Sequence, residues 1–262
     1  MMYSCALFER EGMSLEEASI AKNDRICRKL ALKPGDHLLE IGSGWGGFAI
    51  HAAGRYGCRV TTTTISDAQF ELASQRIRAA GLENRITLLK QDYRNLQGQF
   101  DKLVSIEMIE AVGYQFYPAY FAACSRLLAP DGLMLLQTIT IDDRRYEKAK
   151  RAVDFIQRYI FPGGCLPSVA AIADAIRDHT NLRLTHLEDL TEFYPPTLRA
   201  WCRRMTENRE PVKALGFDER FLRLWEFYFA YCEAGFLERW IGNVQMLFAK
   251  PACRAPAIFG QL

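Results

Sequence analysis

Four glycines crowd the stretch LLEIGSGWGGFAI at 38–50. Gly42, Gly44 and Gly47 satisfy G-x-G-x-x-G, and Gly46 lies inside it. An apolar run precedes them and an apolar-periodic segment follows, so strand, tight turn and helix are expected in that order. The bare backbone would let a ligand approach the helix N-terminus. Taken alone, the pattern fits a dinucleotide, but that ligand calls for an acid about 20 positions on to hold a ribose. The sequence there reads TTTTIS at 61–66, with no acid before Asp67. Instead Glu40 stands two residues ahead of the first glycine, and Asp92 follows the third expected strand. This combination suits S-adenosylmethionine, which has no phosphates to cradle. Glycines admit its methionine and ribose part, and Asp92 would reach the adenine amine. A tight turn with no ligand is the other reading.

Positioning these residues requires a frame, and the hydrophobic pattern supplies one. A helix is expected over 14–32, with Ser14 and Glu17 spaced as a capping box and Pro34-Gly35 as its stop. Strands are expected at 37–41, 59–64, 85–90, 102–106 and 132–139, with helices at 48–56, 67–80 and 117–128. Such alternation is the mark of a parallel sheet wrapped by crossover helices. Beyond 140 the rhythm breaks. The segment 142–175 is charged, aromatic and punctuated by Pro and Gly, and reads as a lid or substrate-binding insertion. A strand over 182–187, a long helix over 218–240, a last strand over 242–250 and a loose tail over 251–262 complete the chain.

Totals exclude several classes. With 262 residues and 49% apolar content the chain can bury a sizeable core. Its 33 Lys and Arg nearly balance 31 Asp and Glu, so no global basic field draws it to nucleic acid. Eight cysteines are scattered without a C-x-x-C pair, and the four histidines form no helical metal-ligand pair. No metal site is expected, and a reducing cytoplasm is the expected home. No run of 18 apolar residues exists, and the start lacks a signal-peptide pattern.

Seven ordered stretches, YSCALF (3–8), LEIGSGWGG (39–47), TTTISDAQ (62–69), QDYR (91–94), SIEMIEAVG (105–113), DFIQRYIFPGGCLPS (154–168) and YCEAGF (231–236), together resemble the cyclopropane-fatty-acid and mycolic acid cyclopropane synthases. The resemblance implies an α/β, Rossmann-like, seven-stranded class I methyltransferase sheet with a helical lipid-binding cap. It implies an N-terminal segment covering the cofactor (1–30), a core that binds S-adenosylmethionine (31–140), a lid with one core strand (141–240), and a last strand with tail (241–262). Phospholipid-acting members generally carry a further domain upstream of YSCA, so this chain matches the catalytic part alone. The implied chemistry is methyl transfer to a cis double bond of an unsaturated acyl chain, at a transient membrane surface; a homo-oligomer is compatible with it. Cofactor contacts would come from Tyr3, Ser4, Glu40, Gly42, Gly44, Gly46, Thr64, Gln69, Asp92 and Tyr93, Thr64 and Gln69 standing in for the missing ribose acid. Thr64 as a strand end and Gln69 as a solvated helix residue remain open.

An alkene attacking an activated methyl group needs proximity more than acid catalysis, and it leaves a carbocation that a dry aromatic pocket can stabilise. Phe155, Tyr159 and Phe161 are the candidates, with ordinary packing as the alternative. Ring closure then needs a base. The resemblance implies a bound bicarbonate held by Cys5, Glu110, Gln137, Ile139 and Tyr228, with Gln137 standing where the synthases usually have histidine. Gln donates a hydrogen bond but carries no charge, which weakens its hold on an anion. Glu110 would drive the bicarbonate toward base behaviour, and Cys5 is expected as a neutral contact, since no adjacent histidine would generate a thiolate. A methylene branch, a non-lipid acceptor or a non-catalytic binding module are the remaining readings. Arg144, Arg145, Lys148, Lys150 and Arg151 form a basic cluster that suits either anionic head groups or a solvated helix face.

Overall fold

A computed structural model describes residues 1–255 and 258. The expected tail is therefore described only in part, and 256, 257 and 259–262 lie outside the described residues.

Helix α1 (Leu15–Lys29) begins where the sequence demands it. Ser14 Oγ accepts from the Glu17 N–H while the Glu17 carboxylate accepts from the Ser14 N–H, closing the capping box. Strand β1 (His37–Ile41) leads through the glycine turn into α2 (Gly47–Tyr56). Then follow β2 (Arg59–Thr64), α3 (Asp67–Ala79), β3 (Ile86–Lys90) and β4 (Phe100–Ile106). Helix α4 (Tyr117–Leu127) runs directly into β5 (Leu128–Ile141). Both β4 and β5 start earlier than the apolar pattern suggests. Gly132 makes this possible, because a Cβ there would sit 2.6 Å from Leu128 Cγ and 2.9 Å from the Asp101 carbonyl.

The seven strands lie in the order β3-β2-β1-β4-β5-β7-β6, where β6 is Arg183–Asp189 and β7 is Ile241–Ala249. All pairings among β1 to β5 are parallel, and β7 runs antiparallel between β5 and β6. Period-two alternation sorts the core. Leu39, Leu103, Met134 and Leu136 face one apolar layer with residues of α4 and α7 (Val169–His179). Leu38, Val104, Leu133 and Leu135 face the other, with residues of α1 and α2. Chain order reverses between β1 and β4, so the carboxyl ends of these strands open a crevice suited to a ligand.

The segment read as an insertion is divided between cap and core. Helices α5 (Asp143–Ala149) and α6 (Phe155–Tyr159) stand in the cap, whereas α7 packs on α4 and β6 joins the sheet edge. The cap continues with α8 (Tyr194–Glu207), α9 (Arg209–Ala214) and α10 (Glu219–Leu237). α10 ends three residues before the expected Trp240. A third apolar cluster, built on Cys5, Tyr194, Leu198, Tyr228, Phe229 and Phe236, joins the first residues of the chain to this cap.

Candidate functional site

The glycine turn bends the backbone into the left-handed region at Gly42 (φ +96°), Gly44 (φ +48°) and Gly46 (φ +80°), where side chains are strained. At Gly44 no heavy atom lies within 4 Å of the place a Cβ would take, whereas at Gly42 that Cβ would meet Met108 Cγ at 3.0 Å. Gly46 caps α2 without any side-chain hydrogen bond. The turn thus offers bare backbone beside open space. Thr64 at the end of β2 donates to Gln69 Oε1 (2.8 Å), which fixes the Gln69 amide beside the strand end. These features fit the sugar and methionine parts of S-adenosylmethionine.

Glu40 accepts from Thr62 Oγ1 (2.6 Å) and is 2% exposed, and burial pushes its carboxyl up to about 8. Asp92 accepts from the Arg94 N–H and guanidinium, which hold its carboxyl below the usual range. Tyr93 packs edge-on against Tyr120, with ring centroids 5.4 Å apart. Ser4 is buried and accepts from Lys22 Nζ (3.1 Å), a buried ammonium whose pKa is lowered by burial. Tyr3 stacks on Trp201 and donates to Tyr228 Oη (3.0 Å).

The five residues matched to an anion site gather at the ends of β4 and β5, and a sixth stands among them. Glu107, the residue after β4, is a non-glycine at φ +48°. Its Oε1 accepts from the Cys5 N–H (3.0 Å), Gln137 Nε2 (2.9 Å) and Asn243 Nδ2 (2.8 Å), and its Oε2 from Tyr194 Oη (2.8 Å). Three residues on, Glu110 Oε1 accepts from the Ile139 N–H (2.6 Å) and Thr138 Oγ1 (2.9 Å), while its Oε2 is buried without a hydrogen-bond partner. Burial first, then the neighbouring Glu107 charge, pushes the Glu110 carboxyl up to about 8. Both effects favour the protonated form of Glu110. Cys5 is fully buried and its thiol is pushed well above the ordinary value by burial, which favours the neutral thiol.

Gln137 has a structural reason for being an amide. Its Oε1 accepts from Gln245 Nε2 (2.9 Å), whose own Oε1 accepts from Lys29 Nζ (2.8 Å). Lys29 is 3% exposed and pairs with Glu188. Although burial raises Glu188, Arg25 and Lys29 hold it at about 2. One amide thus accepts on one side and donates to Glu107 on the other.

Of the aromatic candidates, Phe161 stands edge-on to Tyr228 (6.1 Å), beside the carboxylate cluster. Phe155 packs with Phe227 and Tyr231 of α10, and Tyr159 is 54% exposed. In the basic cluster Arg144 pairs with Asp142, Lys150 and Arg151 pair with Glu147, and Arg145 lies over the Trp240 ring (3.4 Å). Among the described residues no group of His, Cys, Asp and Glu is placed to hold a metal, and no helix is long and apolar enough to cross a membrane.

Sequence reasoning missed Glu107, Tyr194 and Asn243. For Glu107 the signal was a second acid three residues before Glu110. For Asn243 it was a pair of amides at alternate positions of an apolar strand, whose register sets Asn243 opposite Ile139 and Gln245 opposite Gln137.

The family model described as mycolic acid cyclopropane synthetase matches residues 1–246. The tuberculostearic acid methyltransferase UfaA1 of Mycobacterium tuberculosis is 44% identical over 243 residues, 90% of this chain and 57% of that protein. The cyclopropane-fatty-acyl-phospholipid synthase of Escherichia coli is 41% identical over 251 residues, 95% of this chain and 62% of that protein. The chain thus spans less than two thirds of the length of these relatives. Among solved structures, mycolic acid cyclopropane synthase CmaA1 complexed with SAH and CTAB has a TM-score of 0.88 at 32% identity, covering 95% of this chain and 90% of that one. Cyclopropane synthase MmaA2 from Mycobacterium tuberculosis has a TM-score of 0.88 at 30% identity, with the same coverage.

Proposed function

The chain belongs to the mycolic acid cyclopropane synthetase family, and from that premise we propose that it transfers the methyl group of S-adenosylmethionine to the cis double bond of an unsaturated fatty-acyl chain. One observation carries the reading. Met108 packs against Gly42 of the open turn, and the glutamates on either side of it in the chain, Glu107 and Glu110, form the carboxylate cluster. A cofactor seated on the turn would therefore lie beside groups able to manage a proton.

When bound, S-adenosylmethionine supplies a methyl group already activated by its sulfonium. Bare backbone at Gly42 and Gly44, the Gln69 amide held by Thr64, and Asp92 with Tyr93 would hold it, while Tyr3 and Ser4 close over it and Glu40 braces β1 against β2 from within. The acyl chain would enter under the cap, where Phe161 and Tyr228 present ring faces and edges that shield a cation from water. Closing a ring requires removing a proton from the delivered methyl group, for which the resemblance implies a bicarbonate at Cys5, Glu110, Gln137, Ile139 and Tyr228. A lipid acceptor also implies work at the cytoplasmic membrane surface, with Arg145 and the exposed Trp240 as contacts.

A methylene or methyl branch is the second reading. It is favoured by Gln137 and by the 44% identity to a protein named for tuberculostearic acid. The deciding experiment incubates unsaturated phospholipid with the protein and methyl-deuterated S-adenosylmethionine. Lipid that gains CD2 supports transfer with loss of one methyl deuteron, and its resistance or susceptibility to catalytic hydrogenation of alkenes separates ring from methylene. Bound cofactor with no labelled lipid sinks the acyl assignment.

A further inference from the structure

We propose that Glu107 is the proton acceptor of the reaction, a carboxylate built into the chain at the place where an external anion would otherwise bind. The inference rests on the methyl-transfer reading and deepens it. Its ground is the set of donors already turned onto one side chain. The Cys5 N–H, Gln137 Nε2, Asn243 Nδ2 and Tyr194 Oη come from four separate elements, and all four donate to Glu107 at 2.8–3.0 Å.

Two of those groups, Cys5 and Gln137, are among the five matched to bicarbonate. Of the others, the Ile139 N–H donates to Glu110 and Tyr228 Oη accepts from Tyr3. The anion cradle is thus filled from within. Glu107 also keeps a left-handed backbone (φ +48°), a strained conformation for a residue with a Cβ. Strain of this kind persists where the surroundings over-determine it, and it clusters at functional sites. Glu110 is less suited to the same task, because only Thr138 and the Ile139 N–H donate to it, and burial favours its protonated form.

The two oxygens of Glu107 differ. Oε1 takes three donors, whereas Oε2 takes only the Tyr194 hydroxyl and keeps a lone pair for a proton. In the step, the S–CH3 bond breaks with its electron pair left on sulfur, and the alkene π pair forms the new C–C bond. A methyl C–H bond then breaks, its proton passes to Oε2, and its electron pair closes the third side of the ring. In the methylene outcome a hydride first moves to the neighbouring cationic carbon, and the same C–H pair forms a C=CH2 double bond. Either product needs one proton acceptor and no further reactant.

The test compares the wild-type protein with Glu107→Gln and Glu107→Gly, in CO2-depleted buffer and with added bicarbonate, and follows 13C-bicarbonate binding by NMR. Wild type is expected to bind no bicarbonate at the cluster and to methylate within about twofold of the same rate with or without it. Glu107→Gln fills the space but accepts no proton, so activity should fall by about 10²-fold or more with no rescue. Glu107→Gly accommodates the backbone and frees the four donors, so it should bind 13C-bicarbonate and regain at least about tenfold activity with it. Bicarbonate bound by wild type, a wild-type rate that depends on it, or an active Glu107→Gln overturns the proposal. The NMR arm reads out without turnover, so an absence of methylated lipid, which would sink the acyl reading, is told apart from a failure of the Glu107 assignment.

Discussion

Met108 stands so close to Gly42 that a Cβ on the glycine would come within 3.0 Å of the methionine Cγ, which locks the glycine turn to the segment carrying both glutamates. Gly42 also holds φ +96°, so alanine there meets strain and a clash at once. Gly44 has room for a Cβ within the protein, but that room is where the cofactor would lie. Gly44→Ala is expected to fold, destabilised by about 1–2 kcal/mol through its left-handed backbone, and to bind S-adenosylhomocysteine at least about tenfold more weakly, a loss of about 1.4 kcal/mol, by calorimetry. Unaltered affinity would remove the turn from the cofactor site.

Glu110 links the site to pH. Its folded carboxyl is raised to about 8 from a value of 4.5, so the folded state keeps a proton that the unfolded chain gives up across that window. Stability is therefore fully supported below about pH 4.5 and declines as pH rises through 8. Glu110→Gln cannot ionise and should flatten this decline, raising Tm at pH 8 by about 2–4 °C for each 1 kcal/mol relieved. Glu40 has the same sign and keeps part of the slope. A Tm profile parallel to that of wild type would show that Glu110 does not titrate as described.

Lys29 supports the site from α1, holding Gln245 Oε1 and Glu188 while itself 3% exposed. Lys29→Met keeps the apolar stem but leaves a carboxylate and an amide short of a donor. Breaking one side of a buried pair costs about 3–5 kcal/mol. Glu188 retains Arg25, so the lower end of that range is expected in urea unfolding. A change below about 1 kcal/mol would mean that the amide chain to Gln137 does not depend on this ammonium.

The α/β frame was legible because strands such as β1 and β5 carry apolar runs, and helices such as α1 and α3 open on a cap, Ser14 or Ser66. The starts of β4 and β5 were not, since Asp101, Pro130, Asp131 and Gly132 interrupt the apolar pattern, and only the fold shows Gly132 admitting Leu128 against its backbone. Cys5, Glu110, Gln137, Ile139 and Tyr228 were found through motif resemblance and do assemble in one region. Glu107 escaped because its importance lies in partners 102, 30, 136 and 87 positions away, which only the folded sheet and cap bring together.

Cys5 gives a readout of the N-terminal segment. Its thiol is fully buried and pushed well above the ordinary value by burial, whereas Cys202, Cys232 and Cys253 are partly exposed. Iodoacetamide at pH 8 followed by peptide mass spectrometry should label those three first, with Cys5 reacting only on opening of the segment. Labelling of Cys5 at the rate of Cys253 would show that the segment is open in solution.

The proposed contact with anionic lipid is tested on a small set of charges. Within the cluster after β5, Arg144 is held by Asp142, and Lys150 and Arg151 by Glu147, so much of the formal charge is compensated locally. Lys148 has no ion pair among the described residues, and Arg145 lies over Trp240, a ring 53% exposed and of the kind favoured at membrane interfaces. Each basic side chain near an anionic surface contributes about 1 kcal/mol. Arg145→Glu with Lys148→Glu should therefore weaken binding to phosphatidylglycerol-containing vesicles by at least about 30-fold in a sedimentation assay, and less at high salt. The double reversal of Arg144 and Arg151, already paired, should cost less. Equal losses for the two pairs would point to bulk charge alone, and unchanged binding for both would take this face away from the membrane.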